Sequence, residues 1–139
     1  MEMALQIEHV AMSVNNLEES VAWYRDILGF EMVSCQAHPE INARVAIMTS
    51  PAIRLELFQH DRTIPLPEIR KMPQTDLQEQ GVKHFCLATG NLEQTMQNLR
   101  EKHVEIVLGP DVFENRRFLY IHDVNGILIE IMEMAAQNC

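Results

Sequence analysis

Two stretches of this chain carry one pattern, and a duplicated pattern restricts the possible folds more than composition can. Ile7-Glu8-His9-Val10-Ala11-Met12-Ser13-Val14 and Val82-Lys83-His84-Phe85-Cys86-Leu87-Ala88-Thr89 are both strand-like runs with a histidine in third place. Each is followed by the same helix opening, Asn16-Leu17-Glu18 and Asn91-Leu92-Glu93. His84 follows His9 by 75 positions, an offset that also pairs Arg25 with Arg100. After the helix it becomes 74, pairing Glu31 with Glu105, Val33 with Val107, Ile47 with Ile121 and Glu56 with Glu130. A long unit used twice is a duplicated supersecondary motif; a solenoid would need more and shorter copies. The duplicated chemistry is one histidine on the first strand and one glutamate on the last strand of each half.

The elements of one half follow from periodicity. Leu5 to Met12 reads as a strand, with Leu5, Ile7 and Ala11 sharing a face with His9. Asn16 with Glu19, and Asn91 with Gln94, are capping-box-like helix starts. Leu17, Val21, Tyr24 and Leu28 form a stripe at helical spacing, echoed by Leu92, Met96 and Leu99. Gly29 stops the first helix. Strands are then predicted over Phe30 to Cys35, Arg44 to Thr49 and Ile53 to Gln59, and in the second half over Val104 to Leu108, Arg117 to His122 and Ile127 to Met132. Asp123-Val124-Asn125-Gly126 marks a tight turn before the last strand, because Asn-Gly accepts positive φ. Each half therefore reads β-α-β-β-β. Module one covers about 4–59 and module two about 82–134 of a single domain spanning 1–139. The connecting loop 60–81 holds Pro65, Pro67 and Pro73, which argue against a regular strand or a long helix there. Such a stretch serves as a lid, a binding loop or a plain linker.

Composition narrows the function. With 139 residues, 47% hydrophobic and 22% charged, the chain is long enough for one proper core and too apolar for disorder. A formal net charge of −9 argues against a nucleic-acid backbone as partner, since that binding rests on clustered Lys and Arg. No apolar run is long enough for a bilayer and no signal-peptide pattern opens the chain, so a cytoplasmic location without a membrane partner is expected. Cys35, Cys86 and Cys139 are odd in number and lack CxxC spacing, so reduced thiols are expected.

The two glutamates are the sharpest signal. Glu56 stands in Ile53-Arg54-Leu55-Glu56-Leu57-Phe58 and Glu130 in Ile127-Leu128-Ile129-Glu130-Ile131-Met132. A buried, unpaired carboxylate costs several kcal/mol or shifts its pKa upward, so each needs a compensating group. A shared metal would compensate both at once. Arg54 and Lys83 are the alternative partners, and His9 or His84 taken singly could be a hydrogen-bonded core histidine. Arg70, Lys71, Arg116 and Arg117 are basic pairs in loops of an acidic protein, suited to solvation or to clamping a substrate carboxylate or phosphate. His122, at a strand end beside the Asp123 turn, could line the same surface. His38, His60 and His103 read as surface or capping residues.

The paired β-α-β-β-β units, His9 and His84 on first strands, Glu56 and Glu130 on fourth strands, the Tyr24 to Phe30 helix end and the closing Asp123 to Glu133 run resemble the vicinal oxygen chelate superfamily. Its members include glyoxalase I, methylmalonyl-CoA epimerase, extradiol dioxygenases, and fosfomycin and bleomycin resistance proteins. The resemblance implies an α+β fold in which two tandem βαβββ modules form a curved, cup-shaped mixed sheet with helices on the outer face. It also implies one divalent metal, Ni, Co, Zn, Mn or Fe, held by His9, Glu56, His84 and Glu130, with positions left open for substrate.

The order His, Glu, His, Glu is similar to bacterial-type glyoxalase I, whereas methylmalonyl-CoA epimerase typically has glutamine in place of Glu56. The resemblance thus implies a metal-dependent lyase or isomerase acting on a small α-oxygenated substrate through a metal-bound ene-diolate-type intermediate. Glu130 would be the principal catalytic base and Glu56 its pseudo-symmetric counterpart. The arginine that glyoxalase I commonly carries near the start of its first strand for glutathione is replaced here, Glu8 and Val10 flanking His9. The alternatives are an Fe(II) extradiol-type dioxygenase and a non-catalytic drug- or metabolite-binding resistance protein. A homodimer is expected, with the cup completed within one chain or by exchange of modules.

Overall fold

The computed structural model describes residues 3–135. The chain divides into two compact units, Met1–Pro65 and Leu66–Cys139, and each builds its own four-stranded mixed sheet. In the first unit the elements are β1 (Val10–Ser13), α1 (Leu17–Leu28), β2 (Glu31–His38), β3 (Ala43–Thr49) and β4 (Arg54–His60). The sheet order is β1-β4-β3-β2, with β1 parallel to β4 and the other neighbours antiparallel. The second unit repeats this. A one-turn helix α2 (Pro73–Asp76) precedes β5 (Phe85–Thr89), α3 (Leu92–Glu101), β6 (Ile106–Phe113), β7 (Arg116–His122) and β8 (Leu128–Glu133), in the order β5-β8-β7-β6. The expected α+β fold of two βαβββ modules is thereby formed.

Local chemistry accounts for these elements. The Asn16 side chain accepts from the Glu19 N–H at 2.9 Å, and Asn91 from Gln94 at 3.0 Å, so both helices begin at the predicted caps. Leu17 and Tyr24 are buried on α1, which contacts β3 and β4; Leu92, Met96 and Leu99 are buried on α3, which contacts β8. The facing strand positions are fully buried: Ala46, Met48, Leu55 and Leu57 in one sheet, Leu119, Ile121 and Ile129 in the other. Removing such a leucine to alanine costs about 2–5 kcal/mol, so these side chains dominate the stability of each sheet. No helix among the described residues is long and apolar enough to cross a membrane.

Three expectations need correction. The strand over Leu5 to Met12 begins at Val10, because β4, its ladder partner, starts at Arg54, only one residue before the Val10–Leu55 pairing, and gives residues 5–8 no strand to pair with. Leu5 and Ile7 are consequently exposed. Ile47 and Ile121 are not equivalent either. Ile47 stands opposite Glu56, whereas the residue opposite Glu130 is Tyr120. The cause lies in the hairpins: residues 50–53 connect Thr49 to Arg54, but the longer stretch 123–127 connects His122 to Leu128. The extra residue serves the Asp123 turn, where the Asp123 carboxylate accepts from the N–H groups of Asn125 (2.8 Å) and Ile127 (2.9 Å) while Gly126 takes φ 85°. Lastly, the predicted strands β2 and β6 extend further than Cys35 and Leu108, to His38 and Phe113.

After His60, which closes β4, the segment 61–81 contains neither strand nor long helix, in keeping with its prolines. From Leu66 onward it belongs to the second unit, with a 3-10 turn at Glu68–Arg70 ahead of α2. Cys35 and Cys86 are free thiols, and Cys139 lies outside the described residues.

Candidate functional site

Parallel pairing of the first and last strands sets each histidine beside a glutamate. In module one the β1–β4 register puts Ala11 opposite Glu56, and His9, two residues upstream on the same face, brings its Nε2 to 2.8 Å from Glu56 Oε2. In module two Cys86 stands opposite Glu130, and His84, again two residues upstream, brings its Nε2 to 2.9 Å from Glu130 Oε2. The same register produces the same pair twice.

The surroundings differ. Arg54 donates to Glu56 Oε1 at 3.3 Å and also lies 3.7 Å from Glu8, so this arginine is one of the partners expected for Glu56. Glu8 contacts His9 Nδ1, leaving both ring nitrogens of His9 facing carboxylates. That hydrogen bond is the main reason the Glu8 carboxyl sits below its usual range, with the Arg54 charge a smaller cause. Glu130 is buried, 9% exposed, and its ladder neighbours are Cys86 and Tyr120. Burial first, and the Glu130 charge second, push the Cys86 thiol up to about 11 and the Tyr120 phenol up to about 12. The Tyr120 ring meets His84 edge-on at 5.1 Å, and Phe118 meets Tyr120 at 5.9 Å. Sequence reading missed Tyr120 and Cys86 as neighbours of Glu130; strand alternation pointed to Cys86, but the hairpin insertion concealed Tyr120.

The basic residues divide between faces. Arg116 and His122 share the alternating face of β7 with Tyr120, and the Arg116 charge acts on Cys86. Arg117 points the other way, bonded to Glu93 at 2.8 Å and Glu133 at 3.2 Å. Arg70 is engaged by Asp76 at 3.1 Å, and Lys71 by Glu68 at 2.5 Å. His122 Nε2 meets the Lys71 carbonyl, which can only accept, so that nitrogen carries the proton. Lys83, the other partner considered for the glutamates, is bound to Asp76.

The donor set suits a divalent cation of the borderline class: each module offers one imidazole nitrogen and one carboxylate oxygen on a common face. Within either module, among the described residues, no three His, Cys, Asp or Glu side chains converge on one point. Each pair is therefore half of a conventional coordination shell, and it fits a metal only with further ligands.

Comparison with known proteins agrees with this duplication. Residues 6–131 match the family described as the Glyoxalase/Bleomycin resistance protein/Dioxygenase superfamily. The chain belongs to this superfamily. An ethylmalonyl-CoA/methylmalonyl-CoA epimerase of Cereibacter sphaeroides is 29% identical over 142 aligned positions, covering 93% of this chain and 98% of that protein. Among solved structures, a glyoxalase family protein from Enterococcus faecalis superimposes with a TM-score of 0.78 at 24% identity, covering 92% of this chain and 97% of that one. The trypanothione-dependent glyoxalase I of Leishmania major does so with a TM-score of 0.70 at 16% identity, covering 94% and 87%. Both structures share the fold.

Proposed function

We propose that the protein is a divalent-metal-dependent isomerase or lyase that moves a proton on a carbon next to a carbonyl, in a small α-oxygenated or thioester substrate. The observation that carries this reading is the recurrence, at one register in both modules, of a histidine–glutamate pair whose nitrogen and oxygen lie 2.8 and 2.9 Å apart. His9, Glu56, His84 and Glu130 would hold one metal, with the cup completed within one chain or across a homodimer. When bound, the metal supplies positive charge that stabilises the oxyanion developing on the substrate carbonyl. The superfamily contains enzymes of this type, and the Cereibacter relative's name specifies 2-alkylmalonyl thioesters, which makes that class the first to test.

The protein's own groups support a division of labour. Glu130 has the neutral Cys86 and Tyr120 as ladder neighbours, so its carboxylate can take the substrate proton at one oxygen and return it. Glu56 accepts a hydrogen bond from Arg54 that it would have to surrender to do the same. Arg116 and His122, on the Glu130 face, are the basic groups placed to meet a substrate carboxylate.

Exchange of a substrate C–H proton with solvent deuterium tests the reading. Protein reloaded with Co²⁺, Ni²⁺, Zn²⁺, Mn²⁺ or Fe²⁺ without oxygen should exchange the α-proton of a 2-alkylmalonyl thioester or a hemithioacetal. Glu130→Gln should keep a ligating oxygen and lose the exchange. Oxygen consumption instead of exchange would establish the dioxygenase alternative, and a purified protein that takes up no metal but binds aromatic drugs would establish the resistance-protein alternative. A monomeric mass at micromolar concentration would refute the dimer.

A further inference from the structure

Asp76 is the most buried carboxylate among the described residues, 1% exposed, and nothing in the proposed chemistry uses it. It ends α2, well after the last strand of module one closes at His60, and it gathers two cations. Arg70 Nε lies 3.1 Å and Lys83 Nζ 3.2 Å from the same oxygen, Oδ1. Both cations also hold main chain. Arg70 Nη2 donates to the Val82 carbonyl at 3.0 Å, and Lys83 Nζ to the Asp76 carbonyl at 2.7 Å and to the Glu79 carbonyl. Thr75 Oγ1 closes the base of the turn on the Ile69 carbonyl at 2.7 Å.

The position of this cluster gives it meaning. Strand β5 begins at Phe85, so Val82, Lys83 and His84 precede the paired residues of the ladder. They also follow Gly81 at φ 135°, a conformation with little intrinsic restraint. Without other support, the backbone carrying the His84 imidazole would be the loosest part of the candidate site. The cluster fixes the two residues immediately before His84, one by its carbonyl and one by its side chain. His122 of β7 also bonds the carbonyl of Lys71, the residue after Arg70.

We propose that Asp76 is a positioning residue: by clamping Arg70 and Lys83 it holds residues 82–84 so that the His84 imidazole meets Glu130. The role rests on the metal-site reading only for its functional consequence, since the imidazole must be aimed whether or not a metal is present. Leaving either charge of a buried cluster unpaired is costly, so removing one partner weakens the whole latch. The segment 66–83 is then part of module two's site and no passive linker.

Two substitutions test it, Asp76→Asn, which removes the charge and keeps the volume, and Arg70→Gln, which alters a side chain one-third exposed and so is the milder change to folding. The first measurement is the ¹⁵N and ¹H resonances of the imidazoles in metal-free protein at fixed pH. Those of His84 should shift and broaden in both variants, while those of His9 stay in place. The second is Co²⁺ titration followed by its visible absorption, in which each variant should bind about 10-fold more weakly, as for other groups that orient a ligand. Arg70→Lys, which lacks the fork needed to reach both Asp76 and Val82, should recover only part of the loss. His84 resonances unchanged in a folded Arg70→Gln protein overturn the proposal, as does unchanged affinity where the wild type binds Co²⁺. A wild type that takes up no metal removes the proposed function, and the His84 resonances still decide the role of Asp76.

Discussion

Module one surrounds its glutamate with a cation and an aliphatic side chain, while module two surrounds the equivalent glutamate with a thiol and a phenol. Glu56 has Arg54, Ala11 and Ile47 about it; Glu130 has Leu128, Cys86 and Tyr120 at the matching ladder positions. The supports of the histidines diverge in the same way. His9 is oriented by the carboxylate of its neighbour Glu8, whereas the residue before His84 is Lys83, whose ammonium is bound to Asp76. Duplication thus kept the donor atoms and their register, and the neighbours drifted apart. Two carboxylates at equivalent positions therefore stand in different chemical surroundings: beyond its histidine, Glu56 accepts from a guanidinium, whereas Glu130 has a thiol and a phenol beside it.

The largest effect expected from this asymmetry is in turnover. Glu130→Gln should lower kcat by about 10²- to 10⁴-fold, the usual contribution of a general base. Glu56→Gln should lower it less and act mainly on metal affinity. Equal losses in kcat for the two variants, measured with metal saturating, would remove the distinction between the modules.

Next in size is the packing beneath each site. Leu57→Ala in β4 and Leu119→Ala in β7 each truncate a fully buried side chain and should each cost about 2–5 kcal/mol. If the two units are separate in stability as well as in contacts, hydrogen exchange should accelerate mainly in the amides of the substituted module. Matched acceleration in both modules after either change would show one cooperative core.

A smaller effect concerns the histidine supports. Glu8→Gln should weaken metal binding about 10-fold, because a carboxylate on the remote ring nitrogen orients a ligating histidine and raises its basicity. The residue in the same place in module two, Lys83, contributes through the main chain instead. A Glu8→Gln protein with wild-type affinity for Co²⁺ would mean that the Arg54–Glu56 contact alone suffices to place that side of the site.

How much of this was legible in the sequence depends on the range of the cause. The caps at Asn16 and Asn91, the buried stripe of α3 and the last strand of each half depend on near neighbours, and periodicity finds them. The repeat singled out His9, Glu56, His84 and Glu130 because they recur in one register, but the direct histidine–glutamate contact within each module is a long-range pairing that only the structure supplies. What stayed hidden came from residue counts and charge partners that a linear comparison does not see. The extra residue of the 123–127 hairpin turns Tyr120, not Ile121, toward Glu130. The engagement of Arg70 by Asp76 needs two turns of chain, at 68–70 and 73–76, to fold back together, and three prolines conceal that return from any periodic pattern. The strand start at Val10 was set by where its partner β4 begins, which no property of residues 5–9 encodes.

The smallest predicted effect is at the helix ends, where the repeat compares two residues in one conformation. Gly29 ends α1 at φ 75°, and His103, 74 positions on, follows α3 at φ 59°. Each N–H bonds back into its helix, Gly29 to the Arg25 carbonyl four residues earlier at 3.1 Å and His103 to the Arg100 carbonyl three residues earlier at 3.0 Å. A left-handed conformation costs a residue with a Cβ about 1–2 kcal/mol, and a glycine adopts it freely at the cost of greater freedom in the unfolded chain, about 0.4–1 kcal/mol. The difference leaves roughly 0.5–1 kcal/mol in favour of glycine at such a position. His103→Gly should therefore stabilise module two by that amount, and Gly29→Ala should destabilise module one by a similar one. No atom lies within 4 Å of a Cβ built on Gly29, so the second change introduces strain without a clash. Denaturant midpoints should move in opposite directions with unchanged slopes. If His103→Gly instead lowered the midpoint, the imidazole would be contributing more than its backbone costs, and His103 would be a structural difference between the modules in its own right.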